Sequence, residues 1–120
     1  MGPAFEPFVD PSARIDPGAR VEPGVRLEAG VEVGFGAVIR WGTWLKAGTV
    51  VQEHAIVGHA GFFTRRRPGR ALRVIHAGGV EAVEAAEIGA FAVVFRAVHP
   101  DMVRIGARAA IGTRSIVSHG

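Results

Sequence analysis

The sequence predicts an all-β protein: a single-stranded parallel β-helix of about six coils with one extended loop. Three observations predict this fold. An aliphatic residue returns every six positions, a second small or branched residue follows each one four positions later, and proline and glycine recur at fixed places between them. An α-helix would show apolar spacings of three and four instead. In a hexapeptide β-helix three hexads make one triangular coil, so each residue lies above the one three hexads earlier.

The repeat runs without a break over residues 9–57, which we interpret as regular hexads. The aliphatic position is filled by Val9, Ile15, Val21, Leu27, Val33, Ile39, Leu45, Val51 and Val57. The small position is filled by Ala13, Ala19, Val25, Val31, Ala37, Thr43, Thr49 and Ala55. Such regularity predicts a continuous core formed by two inward-facing positions per hexad.

After Val57 the register breaks, and residues 58–75 are predicted to form a protruding loop because glycine, proline and arginine cluster there. Hexads resume over residues 76–120 with a shorter interruption at His99 and Pro100. The last regular run has Ile105, Ile111 and Val117 at the aliphatic position. Residues 1–120 are therefore interpreted as one β-helix domain.

Composition limits the class of protein. A chain of 120 residues is one domain in size, and its 48% hydrophobic content is typical of a folded protein. No apolar run is long enough to span a bilayer, and the first residues lack the pattern of a signal peptide, so a soluble, cytoplasmic protein without a membrane span is expected. The absence of cysteine excludes disulfides, thiolate catalysis and cysteine-ligated metals.

Charge gives little support to nucleic-acid binding. The sequence pI is about 11.0, yet the formal net charge is only +3. Few groups titrate between histidine and arginine, so the pI overstates the basicity.

Coil stacking predicts particular neighbours. Three opposite-charge pairs should lie one above another: Arg14 with Glu32, Glu22 with Arg40, and Glu28 with Lys46. The same arithmetic places Trp41 between Pro23 and His59, and Trp44 beneath Phe62, at positions that face outward. Outward aromatic residues indicate an interface or a ligand surface, or else they cover a corner of the coil.

The ends and walls of the predicted β-helix favour self-association. Both ends of such a fold expose unpaired strand edges, and the walls carry two tryptophans and a basic loop. A symmetric homo-oligomer would gain burial for so small a solenoid.

Three segments, in order along residues 9–120, resemble a known enzyme family. They are Ile56-Val57-Gly58-His59-Ala60-Gly61-Phe62-Phe63, then His76-Ala77-Gly78-Gly79-Val80, and finally Ile116-Val117-Ser118-His119-Gly120. Arg96 falls where the family tends to have Asp-Arg-Gly. The family is that of the hexapeptide-repeat acyltransferases, and the likeness is closest to the N-acyltransferases that act on UDP-3-O-acylglucosamine in lipid A biosynthesis.

The resemblance implies a left-handed β-helix, an exception to the usual right-handed crossover. It also implies a homotrimer with no bound cofactor, which takes an acyl group from an acyl-carrier-protein or coenzyme A thioester. The acceptor would be an amino or hydroxyl group of a sugar nucleotide. His119 would be the catalytic base. The candidate substrate-binding residues are His59, Gly61, Phe62, His76, Arg96, Trp41 and Trp44.

Acyl transfer needs a base that takes the acceptor proton, and histidine suits this task because its pKa lies near neutral pH. An exposed histidine near a chain end is the alternative interpretation of His119. Ser118 is a turn residue rather than a nucleophile, because the sequence supplies no triad for it. His76 occupies a usually aliphatic position, which favours an inward, hydrogen-bonded ring over a catalytic one.

The basic loop has three interpretations, of which a solvated loop is the simplest. Contact with an acidic acyl carrier protein or with a diphosphate comes second, because guanidinium groups bind phosphate through two parallel hydrogen bonds. Nucleic-acid binding comes last. The arginines concerned are Arg65, Arg66, Arg67 and Arg70.

Two other function classes compete with acyl transfer. Hexapeptide-repeat carbonic anhydrases bind zinc through histidines, and His54 and His59 have a suitable spacing of five, but Gly18 stands where the third ligand is needed, so no metal site is predicted. The stronger rival is a non-catalytic trimeric β-helix scaffold or a degenerate subunit. The end of the chain directly after His119 favours this rival, whereas the order of the three matching segments opposes it.

Overall fold

The chain folds into short parallel strands, seen in a computed structural model that describes residues 5–60, 64–67, 70–73, 78–98 and 101–118. The strands in chain order are β1 (Phe8–Val9), β2 (Arg14–Ile15), β3 (Arg20–Val21), β4 (Arg26–Leu27), β5 (Glu32–Val33), β6 (Val38–Ile39), β7 (Thr43–Leu45), β8 (Val50–Val51), β9 (Ile56–His59), β10 (Thr64–Arg67), β11 (Arg70–Arg73), β12 (Gly79–Ala82), β13 (Glu87–Ile88), β14 (Val93–Phe95), β15 (Met102–Ile105), β16 (Ala110–Ile111) and β17 (Ile116–Val117). The described residues contain no helix.

Fifteen of these strands form three parallel sheets of five strands each. Sheet 1 is β1-β4-β7-β12-β15, sheet 2 is β2-β5-β8-β13-β16, and sheet 3 is β3-β6-β9-β14-β17. Apart from the β10–β11 pair, the chain visits sheets 1, 2 and 3 in turn and then returns to sheet 1 one level higher. This arrangement is compatible with the predicted parallel β-helix.

The core is built from the two positions that the repeat predicts. Leu27, Val33, Ile39, Leu45, Val51 and Val57 are buried at the aliphatic position, and Val25, Val31, Ala37, Thr43, Thr49 and Ala55 are buried at the small position. The first hexads differ because they lie at the end of the solenoid. Val9 is 47% exposed, since no strand packs beneath it. Burial therefore follows the repeat wherever a coil has neighbours on both sides.

From Gly24 onward, most hexads turn through a residue in the left-handed region of φ. Glycine fills this position in the early coils, for example Gly30 and Gly48, whereas later coils use Ala85, Phe91 and Arg114. A residue with a Cβ costs roughly 1 to 2 kcal/mol more there than glycine does. The early corners are therefore built with less backbone strain than the later ones.

Both interruptions of the repeat leave the solenoid at one corner, between sheet 3 and sheet 1. The connections at this corner are residues 22–25, 40–42, 60–78 and 96–101. We call it the insertion corner. The first interruption makes Val80 the partner of Thr43, 37 residues earlier, and the second makes Val103 the partner of Val80. The two long connections thus belong to successive coils.

The predicted loop over 58–75 differs from the structure in two ways. Gly58 and His59 belong to β9, and β10 and β11 pair as antiparallel strands, with Thr64 opposite Arg73 and Arg67 opposite Arg70. Pro68-Gly69 separates these strands in the sequence, and Pro-Gly is a typical turn sequence. Pairing satisfies backbone groups that an irregular loop would leave to water.

The stacking predictions hold below the first interruption and fail across it. Arg14 is the partner of Glu32, and Arg40 Nε lies 2.9 Å from Glu22 Oε2, as predicted. Lys46 follows Leu45, the strand partner of Leu27, so it lies next to Glu28 as predicted, but its Nζ forms an ion pair with Glu81 Oε2 at 2.8 Å.

Trp44 was misplaced by coil arithmetic. Its strand partner is Glu81, not Phe62, because the long connection places β12 next to β7. Phe62 itself lies outside the described residues.

Candidate functional site

The segments that carry the family resemblance meet around β14. In sheet 3, β14 lies between β9 and β17, so Val94 has Val57 on one side and Val117 on the other. Directly after β14, Ala97 donates its N–H to the carbonyl of Gly79 (3.3 Å) and accepts from Gly78 (2.8 Å). The ends of β9 and β14 and the start of β12, which are distant in sequence, thus meet at the insertion corner next to Arg96.

Arg96 is the most unusual side chain at this corner because it is completely buried. Its Nε donates to the carbonyl oxygen of Gly58 at 2.9 Å, and its backbone N–H donates to the carbonyl of His59 at 3.1 Å. Its guanidinium carbon lies 3.5 Å from the centre of the Trp41 ring. The other two guanidinium nitrogens, Nη1 and Nη2, have no hydrogen-bond partner among the described residues.

Gly58 allows the backbone of β9 to lie close to Thr43 and Arg40. It has a φ of +86°, and a Cβ built on it would lie 2.6 Å from Thr43 Oγ1 and 3.3 Å from Arg40 Cβ. Glycine is required here on both counts, since the left-handed backbone disfavours a side chain and the space is already filled. This backbone holds the carbonyl that fixes Arg96.

Glu22 and Arg40 form the outer side of the cluster. Glu22 accepts the backbone N–H of Trp41 at 3.0 Å through Oε1 and pairs with Arg40 through Oε2. Burial alone would raise the pKa of Glu22, but the Trp41 N–H and the Arg40 guanidinium together lower it. We call Glu22, Arg40, Trp41, Gly58 and Arg96 the Arg96 site.

The charge of Arg96 is poorly compensated. Burial, and then the positive charge of Arg40, lower the pKa of Arg96 to about 10, whereas Glu22 acts in the opposite direction. Arg96 remains protonated at neutral pH, since its pKa stays well above 7. A buried cation without a paired anion is energetically unfavourable.

His59 also lies at this corner, but its ring contacts that of Phe95 rather than stacking on Trp41 as coil arithmetic predicted. Its ring centre lies 5.5 Å from that of Phe95, and its Nδ1 is buried without a hydrogen-bond partner among the described residues. Arg96 takes the place over the Trp41 ring that coil arithmetic gave to His59. A shift in register between Val94 and Phe95 accompanies this change.

Trp44 lies away from this corner, on the outer face of sheet 1. Its Nε1 donates to Glu28 Oε2 at 2.7 Å, and Lys46 Nζ lies 4.8 Å from its ring centre. The Phe5 ring and the Arg26 guanidinium also contact it. Trp44 is thus part of a packed ladder of charges and rings and is not brought together with Arg96.

Several predicted site residues fall outside the described part of the chain. They are the candidate base His119 and the candidate substrate contacts Gly61, Phe62 and His76. The hairpin arginines Arg65, Arg66, Arg67 and Arg70 are described as backbone within β10 and β11 only.

Sequence reasoning missed the roles of Glu22, Arg40 and Gly58 in the Arg96 site. The Glu22–Arg40 pair was predicted, but only as a register contact. The positive φ of Gly58 could have been suspected because Gly58 interrupts the hexad pattern directly after Val57. Nothing in the spacing indicates that the Gly58 carbonyl accepts a hydrogen bond from a residue 38 positions away.

Sequence reasoning also missed a cluster of rings at the other end of the sheet 3 strands. At the corner between sheets 2 and 3, the His54 ring lies 5.6 Å from that of Phe35 and 5.1 Å from that of Phe91. Phe35 and Phe91 are each about half exposed. Beside them, the face of sheet 2 carries a shallow groove of about 390 Å³ whose lining includes Arg14, Asp16, Glu32 and Gln52.

No protein-family model matches the chain, and no curated protein matches it. The described residues include no group of three histidine, aspartate or glutamate side chains that could hold a metal ion. Among these residues there is also no helix that could cross a membrane.

Proposed function

We propose that this protein is a hexapeptide-repeat acyltransferase with a left-handed β-helix and a homotrimeric assembly. It moves an acyl group from an acyl-carrier-protein or coenzyme A thioester to an amino or hydroxyl group of a sugar nucleotide. The observation that carries the proposal is the convergence of β9, β12, β14 and β17 at the insertion corner, next to a buried arginine. The sequence segments on β9, β12 and β17 are those that resemble the family.

The chemistry requires a base and a group that stabilises the oxyanion. In the proposed step, His119 takes the proton of the acceptor N–H or O–H as that atom attacks the thioester carbonyl carbon. A new C–N or C–O bond forms, the C–S bond breaks, and the thiolate leaves and receives the proton. Histidine suits this role because it changes protonation near neutral pH. No covalent acyl-enzyme is needed.

The Arg96 site supports the choice of acceptor. Sugar nucleotides are anionic and carry a planar base, and the corner offers a buried guanidinium beside a tryptophan that is 39% exposed. A cation next to an aromatic surface suits such a molecule.

The proposal is tested by measuring thiol release from acyl-carrier-protein and coenzyme A thioesters in the presence of sugar nucleotides. The parent protein is compared with His119→Ala, and His54→Ala, at the corner between sheets 2 and 3, serves as the matched control. We expect acceptor-dependent release that falls about 100-fold or more in His119→Ala and stays unchanged in His54→Ala. Equal rates in the parent and His119→Ala would remove His119 from the mechanism.

A non-catalytic trimeric scaffold is the second candidate. The half-exposed rings of Phe35 and Phe91 favour it, because exposed aromatic residues on one edge of a solenoid are typical of an interface. The release assay separates the candidates. Absence of thiol release with every donor and acceptor, from a correctly folded protein, would support the scaffold.

A further inference from the structure

We infer that Arg96 binds a phosphate group through Nη1 and Nη2 at the insertion corner. The inference rests on the proposed function for the source of that phosphate, which is either the diphosphate of a sugar nucleotide or the 4′-phosphopantetheine arm of an acyl donor. The two sources share the chemistry of a phosphate ester.

Glu22 acts on Arg96 electrostatically but forms no ion pair with it. Its Oε1 accepts from the Trp41 backbone N–H, and its Oε2 lies 2.9 Å from Arg40 Nε. No ion pair joins Arg96 to a carboxylate within the described part of the chain. Among the described residues, the Arg96 site therefore holds two guanidinium groups, those of Arg40 and Arg96, and one carboxylate, that of Glu22, which leaves an excess of positive charge.

The contacts of Arg96 hold its guanidinium group in one orientation. Its Nε is fixed by the Gly58 carbonyl at 2.9 Å, and its face lies against Trp41 at 3.5 Å. The two remaining nitrogens are the pair that binds two oxygens of one phosphate in parallel. Both are buried and unpartnered among the described residues. Buried nitrogens of this kind normally have a hydrogen-bond partner.

Phosphate fits the site better than a carboxylate does. A phosphate diester or diphosphate spreads its negative charge over several oxygens, and Arg40 adds a second positive charge to the field at Arg96. The half-exposed Trp41 ring beside the guanidinium can also receive a planar base. This inference assigns the phosphate contact to Arg96 rather than to the arginines of β10 and β11.

Binding is measured without any thioester, by titrating inorganic pyrophosphate, uridine diphosphate, 4′-phosphopantetheine and, as the carboxylate control, citrate. Isothermal titration calorimetry gives the affinity. Fluorescence of a Trp44→Phe variant, in which Trp41 is the one remaining tryptophan, reports on the site itself. The variants are Arg96→Met and Arg96→Lys, with Arg104→Met as the control because Arg104 is exposed on sheet 1.

We expect at least one phosphate compound to bind and to change Trp41 fluorescence. Arg96→Met should weaken its binding about tenfold or more, Arg96→Lys should weaken it less, and Arg104→Met should leave it unchanged. Whichever of uridine diphosphate and 4′-phosphopantetheine binds more tightly identifies the source of the phosphate. Equal affinity in the parent and Arg96→Met, tighter binding of citrate than of every phosphate compound, or no binding of phosphate would each overturn the inference.

These results are independent of the catalytic proposal. Arg96-dependent phosphate binding without thiol release would contradict acyl transfer but not this site. Thiol release without Arg96-dependent binding would do the reverse.

Discussion

The guanidinium carbon of Arg96 lies 3.5 Å from the centre of the Trp41 ring, although 55 positions separate the two residues in the sequence. The Trp41 ring covers a cation that is completely buried and whose Nη atoms have no partner among the described residues. The indole compensates only part of the lost hydration, because a cation–π contact contributes about 0.5 to 2 kcal/mol. The remaining cost makes the Arg96 site less stable than an apolar one would be.

Replacement of Arg96 by methionine should therefore raise thermal stability. Methionine has a similar length, fills irregular space and carries no charge. The loss of the hydrogen bond to the Gly58 carbonyl costs about 1.5 to 3 kcal/mol, which is less than the several kcal/mol needed to bury a charge without an anionic partner. We expect Arg96→Met to have a Tm at or above that of the parent, by differential scanning calorimetry, with Arg14→Met as the surface control because Arg14 is exposed and forms no ion pair within the described residues. A Tm several degrees below that of the parent would show that the guanidinium is structurally required.

The close approach at Gly58 gives a second prediction. Gly58→Ala places a methyl group at a φ of +86°, 2.6 Å from Thr43 Oγ1. Left-handed strain and overpacking together should lower the free energy of unfolding by about 2 to 4 kcal/mol. The matched control is Gly106→Ala, where a Cβ meets nothing within 4 Å and which should stay within about 1 kcal/mol of the parent. Equal urea midpoints for the two variants would contradict the packing described at the corner.

Replacing alanine by glycine at two turns should change the stability in opposite directions. Ala85 and Ala107 are both exposed alanines in turns, but only Ala85 has a positive φ, of 60°. Ala85→Gly relieves the left-handed strain and should stabilise the protein by about 0.5 to 1 kcal/mol. Ala107→Gly should destabilise it by a similar amount, because glycine gains more freedom on unfolding. Chemical denaturation measures both, and the same sign for both would rule out the assigned backbone strain.

The ion pairs of Glu81 with Lys46 and Arg104 on sheet 1 predict that stability depends on pH. The hydrogen bond from Lys46 lowers the pKa of Glu81 below 4.5, burial opposes this, and Arg104 lowers it further. A carboxyl whose pKa is lower in the folded state stabilises the fold above its unfolded pKa, and this contribution is lost as the pH falls through the folded value. Glu81→Gln should therefore be less stable than the parent at pH 7, and the difference should shrink below about pH 4.5.

Urea unfolding at pH 7 and pH 3 tests this prediction. The control is Glu53→Gln, which removes an exposed carboxylate that forms no ion pair within the described residues. A difference between the parent and Glu81→Gln that stays constant over this pH range would exclude the proposed linkage.

Much of the fold could be predicted from the sequence, because the position of a residue within its hexad determines whether its side chain faces the core. Val33 and Ile39 are buried, as the six-residue spacing of aliphatic residues predicts. Arg14 is the strand partner of Glu32 because three hexads complete one coil. Handedness is a different matter, since the repeat period alone does not determine it.

The site was less predictable, because it depends on the length of the first interruption. Coil arithmetic paired Trp44 with Phe62, whereas the long connection brings Glu81 to that place. Arg96 was selected through the family resemblance, and its contacts with Gly58 and Trp41 follow from the register across the first interruption. Such contacts require knowledge of which strand follows which within a sheet.

The most direct test of the account is the steady-state rate of acceptor-dependent thiol release by the parent and by Arg96→Lys. If the insertion corner binds a sugar nucleotide for acyl transfer, the parent releases thiol only when the acceptor is present. In Arg96→Lys the KM for the acceptor should then rise about threefold or more, with a smaller change in kcat. Acceptor-independent release, or an unchanged KM in Arg96→Lys, would contradict the account.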